Sequence, residues 1–407
     1  MGGQEIPRGS RLTLGRVEGD LSAARDVRIE ADAGGTIVVT GSARFDGDAR
    51  IEGSFECAGL EIDHGEVSIR DALTVHGDVK GDRSSLTVGG PFSAHDVDVD
   101  RGLELRGAGT AGRVEVGGSL TAHGAFTADR ISVGGLLSVD GPLTAKQIEA
   151  GGKVHLGQVN IESLDVGGIA ELAGGTIRGS IEVGGKFDSS EGLTFGGLEV
   201  GGIAHLGAPS KGGSIEVGGR FSTQGDLEFT SLEVGGVAEI EGNARGETVE
   251  LGGRLRVRGS LALHGEIEVG GSVEVTGDLT ASDLELGGGL RARSVVVEDG
   301  IEIGGNAETE KGLKGRTVKL ERRSEVRGPI IGGTVRLRRG SRAQQIFARD
   351  VELDEDCRVD EIVAESATIG EHCRVGQVRY LRDLRVGREV SFGAAPVKVD
   401  VLPPFPL

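Results

Sequence analysis

The sequence predicts an all-β fold: a single-stranded parallel β-helix of triangular cross-section, with close to 17 residues per coil. Three observations carry this. First, a hydrophobic residue followed by two glycines recurs at Val116-Gly117-Gly118, Val133-Gly134-Gly135, Ala150-Gly151-Gly152, Val166-Gly167-Gly168, Val183-Gly184-Gly185 and Val200-Gly201-Gly202. It continues from Val217-Gly218-Gly219 through Val234, Leu251, Val269 and Leu286 to Ile303-Gly304-Gly305. The steps are 17, 17, 16, 17, 17, 17, 17, 17, 18, 17 and 17, and a fixed period of this size marks a solenoid whose coils bury their apolar sides by stacking. Second, apolar residues between the doublets follow a period of two, the mark of strands with one face inside. Third, the chain holds 74 Gly, one Tyr and no Trp, a composition suited to a narrow interior with tight corners.

The elements follow in chain order. Residues 1–11 read as a short N-terminal tail, and residues 12–401 as one continuous β-helix. Its first part, 12–85, keeps strand pairs at uneven spacing: Leu12/Leu14, Val27/Ile29, Ile37/Val39, Leu60/Ile62 and Leu73/Val75. The regular zone is 86–320. Its coil from Val116 offers Leu120, Ala122, Phe126, Ala128, Ile131 and Val133 as inward residues; the coil from Val269 offers Val273, Val275, Leu279, Ala281, Leu284 and Leu286. Three pairs separated by three turns give three strands per coil. Glycine at the corners allows a positive φ or a close backbone approach. Residues 321–401 form irregular coils, basic and then acidic, with Val335/Leu337, Val351/Leu353, Ala367/Ile369 and Leu384/Val386. Val401-Leu402-Pro403-Pro404 is expected to stop the last strand, since proline cannot donate to a ladder, leaving 402–407 as a Pro-rich tail. A left-handed hexapeptide helix would step by 18 residues, so the sustained 17 favours a right-handed coil.

A longer period runs through Ile169-Ala170, Lys186-Phe187, Ile203-Ala204, Arg220-Phe221, Val237-Ala238 and Arg254-Leu255. Large and small inward residues alternate, so Phe187 is expected to fill the space left by Ala170 and Ala204. Their outward neighbours alternate between an aliphatic residue and a cation.

The net charge of −19 favours solubility and argues against nucleic acid as a partner. No run of 18 apolar residues suggests a membrane span, and MGGQEIPRGSR has no apolar secretory core. Three Cys make no disulfide framework, so a cytoplasmic protein is expected.

The residue before the repeated hydrophobic is acidic in ten successive coils: Glu149, Asp165, Glu182, Glu199, Glu216, Glu233, Glu250, Glu268, Glu285 and Glu302. Stacked at a coil spacing, such charges repel by roughly 0.9 kcal/mol per neighbour pair in bulk water. The column is either a solvated face or a stripe for cations or a partner, with Lys186, Arg220 and Arg254 placed to offset part of the repulsion. Residues 311–349 hold twelve Lys or Arg against Glu321 and Glu325. Arg322, Arg323, Arg336, Arg338, Arg339 and Arg342 make this a basic band, read as solvated surface, protein contact or anionic-membrane contact. Phe347 is its one aromatic, too few for base stacking.

Histidines offer no expected metal site: His155 and His205 share one outward register coils apart, and His95 and His123 another. Cys357 and Cys373 occupy inward registers of adjacent coils and read as small buried hydrophobes, although a disulfide is possible by distance; Cys57 has no evident partner. No nucleophile–base arrangement, carboxylate pair or phosphate loop stands out, and coils this short leave no insertions to build a cleft. Neither enzyme activity nor a cofactor is expected.

The Gly-cornered coils, clearest in Ile267-Glu268-Val269-Gly270-Gly271-Ser272-Val273 and Val114-Glu115-Val116-Gly117-Gly118-Ser119-Leu120, resemble the bactofilin, or polymer-forming cytoskeletal, family over most of residues 12–401. The resemblance implies a right-handed β-helix that polymerises end to end without nucleotide. It further implies a place at the inner face of the cell membrane and a role in scaffolding cell-shape or envelope proteins. Members are usually shorter, and many carry a membrane-binding segment that MGGQEIPRGS does not show.

Polymerisation has a physical basis of its own: an uncovered end coil exposes backbone groups and apolar pairs that template another chain. Candidate end residues are Leu12, Leu14, Val27 and Ile29 at one end, and Val390, Phe392, Val397, Val399 and Val401 at the other. The tail from Pro403 to Leu407 would fold over the second end or dock into a neighbour. The alternative is a nonpolymerising rod that binds protein partners along its faces.

Overall fold

The computed structural model describes residues 3–33 and 35–403. Every regular element among them is a strand. The chain divides into two compact units, residues 1–201 and 202–407, each a parallel β-solenoid.

In the first unit, strands Gly102–Leu105, Gly109–Thr110 and Arg113–Val116 make one coil, and Ser119–Ala122, Phe126–Thr127 and Arg130–Val133 the next. Leu103 pairs with Leu120, Gly109 with Phe126 and Val114 with Ile131, all in parallel. Leu120, Ala122, Phe126, Ala128, Ile131 and Val133 are all buried, as the alternation requires. In the second unit the same holds for Val273, Val275, Leu279, Ala281, Leu284 and Leu286. Some corners straighten until two strands merge, as in Lys153–Val166 and Asn306–Leu320. The large–small pattern is realised within each unit: Ala170 lies beside Phe187 in one, and Phe221 lies between Ala204 and Ala238 in the other. All five are fully buried.

The glycine doublets stack on one another, and the reason is close approach alone. A Cβ on Gly134 would stand 2.2 Å from the Gly117 carbonyl oxygen, and one on Gly253 2.1 Å from that of Gly236. The positive-φ glycines lie elsewhere, at positions such as Gly47, Gly53, Gly312 and Gly328. Between the doublets the backbones pass too closely for any side chain.

The C-terminal coils change their corner. There the chain turns through left-handed residues: Arg323 (φ 64°), Gly340 (77°), Asp356 (60°), His372 (59°) and Glu389 (55°). A small residue follows each of the first four, giving the buried column Ser324, Ser341, Cys357 and Cys373.

Both chain ends depart from expectation. Gln4–Ile6, inside the segment read as a tail, forms a strand on Leu21–Ala23 and buries Ile6. The last strand is Val397–Lys398, paired with Arg379 and Tyr380, so the ladder stops before the prolines. Beyond it Leu402 packs against Ile331, Phe347 and Val363. These three are mutual neighbours in register, and each follows a core isoleucine: Ile330, Ile346 and Ile362. Strict alternation would leave them in solvent; the returning chain gives them cover. Residues 404–407, assigned to the tail, lie outside the described residues.

Candidate functional site

The features that sequence singled out are placed as follows. The acidic column exists in both units. In the first, Glu149, Asp165, Glu182 and Glu199 follow one another in register. In the second the series is Glu216, Glu233, Glu250, Glu268, Glu285 and Glu302. It ends where Lys319 takes the next rung and reaches Glu302 at 2.9 Å. In the first unit Arg130 approaches Glu149 at 3.4 Å. The expected offset from Lys186 is not made: its ammonium lies 3.0 Å from Asp188 instead, because the two are on one strand face.

The basic band is largely neutralised inside its own unit. Arg336 pairs with Glu352 at 2.9 Å, Arg338 with Asp354 at 3.6 Å, and Arg339 with Glu355 at 3.4 Å and Asp356 at 3.1 Å. Arg342 faces Glu325 at 3.9 Å. The acidic stretch that follows in sequence is the next coil in space, which is why the two segments pair. Arg322 and Arg323 stand exposed at a corner turn. All these pairs are solvent-accessible and individually weak.

The aliphatic–cation alternation forms outward columns. Leu136, Lys153, Ile169 and Lys186 are consecutive rungs in the first unit. Ile203, Arg220, Val237 and Arg254 are consecutive in the second. Leu136, Ile169 and Ile203 are among the most exposed large apolar side chains.

Cys57, Cys357 and Cys373 are free and buried. The latter two do more than fill space. The Ser324 hydroxyl donates to Ile303 O at 3.1 Å and that of Ser341 to Glu321 O at 2.7 Å. The Cys357 thiol continues the series onto Arg338 O at 3.2 Å, and the Cys373 thiol onto Asp354 O at 3.0 Å. The contact with Cys373 and burial raise the Cys357 pKa. Burial pushes the Cys57 thiol up to about 12.

The histidine registers need correction. His95 sits beneath Gly112, whose N–H donates to its carbonyl at 2.6 Å, while the His123 N–H bonds Leu105 O at another corner. The two do not share a register, because the early coils step unevenly. His155 and His205 fall in different units.

The end candidates divide sharply. Leu12 and Leu14 are partly exposed and pair on one side, with Ile29 and Ala31. Val27 and Ile29 are buried one coil in: Ile29 lies between Leu12 and Ile51. In the second unit Val390, Phe392 and Val399 are partly exposed and Val397 is 47% exposed, whereas Val401, at 80%, belongs to the returning tail rather than to the ladder. Sequence reasoning passed over Val386, 45% exposed on the same last coil.

No helix among the described residues is long and apolar enough to cross a membrane. The fold thus places the chain among parallel β-solenoids with open terminal coils. Comparison with protein-family models, with curated proteins and with solved structures finds no match.

Proposed function

We propose that the protein is a structural scaffold that assembles end to end through its terminal coils, without nucleotide, in the manner the bactofilin resemblance implies. The observation that carries this reading is one-sided pairing. Leu12 and Leu14 have a ladder partner on one side only, and so do Phe392 and Val397. Unpaired strand edges beside apolar side chains are templates for another chain, and burying one large apolar side chain contributes about 1.5–3 kcal/mol. The expected partner is a second copy of the chain, with other scaffold or envelope proteins along its sides and a cytoplasmic position at the inner face of the membrane.

Negative-stain microscopy and sedimentation of the purified chain test the proposal. Filaments are expected, and Phe392→Arg or Leu12→Asp should return particles of single-chain mass with an unchanged β-sheet circular-dichroism spectrum. Filaments that persist in both variants would overturn the placement of the interface; a purified chain that stays monomeric would overturn assembly itself. The second reading, a nonpolymerising rod with partners along its faces, is favoured by the regular outward columns of aliphatic and cationic residues around Leu136 and Ile203.

A further inference from the structure

We propose that Asp78, His95 and Asp96 form a binding site for a divalent transition-metal ion, in the first unit and away from its terminal coil. Among the described residues one imidazole nitrogen and one oxygen from each carboxylate lie within 4.8 Å of one another. The stacking of coils creates this convergence. Val79 pairs with Val97, so Asp78 and Asp96 occupy the same corner in successive coils. The His95 N–H donates to Gly77 O at 2.9 Å, which sets the imidazole one coil over the residue before Asp78.

Three further observations fit a ligand set rather than a chance surface group. The Arg113 N–H donates to Asp96 Oδ1 at 2.9 Å, which orients that carboxylate and leaves its second oxygen available. The Arg113 guanidinium is turned towards Glu115, at 4.0 Å. In the next coil, Gly112 keeps the approach open, since a Cβ there would come within 3.0 Å of Asp96 Oδ1. The contrast with other histidines is direct. His76, His123, His155 and His372 each face a single carboxylate, Glu56, Asp140, Glu171 and Glu389, in an ion pair. His95 faces two carboxylates.

Metal–ligand bonds of about 2.0–2.2 Å require the three donor atoms to draw together by roughly an ångström, a rotamer adjustment open to side chains at the surface. A mixed imidazole–carboxylate set suits Zn2+, Co2+ or Mn2+ better than Ca2+, which takes oxygen ligands alone. Three protein ligands leave coordination positions for water or for a group on another molecule. An ion held there bridges two coils and fastens them together.

The test uses the full chain, stripped with chelator and dialysed against Zn2+ alone, with Co2+ absorption as a second readout. One equivalent per chain is expected, with affinity lowered about tenfold or more in His95→Ala and in Asp78→Asn, and unchanged in His123→Ala. Circular dichroism establishes that the variants keep the fold. Equal uptake by wild type and His95→Ala, or no uptake by wild type at micromolar Zn2+, would overturn the site. Both readouts are independent of filament formation, so its failure and that of the assembly reading are separable.

Discussion

Gly134 lies directly over Gly117, so close that a Cβ on Gly134 would stand 2.2 Å from the Gly117 carbonyl oxygen. The same relation joins Gly151 to Gly134 and Gly235 to Gly218. Backbone rather than a flexible side chain receives the clash, so the neighbouring coils would have to part. Gly134→Ala should therefore destabilise its unit by about 1–3 kcal/mol, the usual range for overpacking. Gly289→Ala is the matched control, because its nearest neighbour is an oxygen at 3.8 Å and its φ is ordinary. Denaturant unfolding of the two variants should separate them; equal midpoints would contradict the stacking account.

The thiols should be inert in the folded chain. A thiolate is the reactive form, and the Cys57 thiol, at about 12, remains protonated throughout the neutral range. Cys357 is held protonated by its contact with Cys373 and by burial. A disulfide-exchange reagent at pH 8 should titrate no thiol before unfolding and three after it. Cys357→Ser and Cys373→Ser should each cost less than about 1 kcal/mol, because Ser324 and Ser341 make the same bond to a carbonyl one coil away. Rapid labelling of the native chain would show that the C-terminal coils open readily.

Leu402 covers an apolar patch that the coils alone leave outside. Removing residues 401–407, or changing Leu402→Asp, should uncover Ile331 and Phe347. We expect increased fluorescence of an apolar dye, and faster hydrogen exchange in Glu325–Leu337 and Arg342–Leu353. The loss for Leu402→Asp should be about 1 kcal/mol, as for a half-buried leucine. Unchanged exchange in those strands would mean that the tail contributes nothing to their stability.

Much of the fold is legible in the chain because each coil repeats the same physical problem. Leu120 and Val133, or Val273 and Leu286, can only be inward once the period of two is read between glycine corners. The acidic rungs were likewise readable, even across the steps of 16 and 18, since the doublets reset the register at every coil. The site of Asp78, His95 and Asp96 was within reach too: adding one coil of 17 or 18 residues to Asp78 gives the other two positions. It was missed because the histidines were compared with each other and not with carboxylates one coil away. Val27 and Ile29 were misplaced for a similar reason. The strand at Gln4–Ile6 begins a coil earlier than the apolar pairs suggest.

The sequence by itself determined the local geometry: strand periodicity, corner positions, and which residues share a column. These are set by alternation and by glycine, both of which act within a few residues. Only the tertiary structure decided what covers Ile331, Phe347 and Val363, which carboxylates neutralise the basic band, and which corner holds His95. Those depend on where chain segments many residues apart come to rest. That placement follows from the accumulated stagger of uneven coils and from the path of the returning tail, and no short-range pattern encodes either.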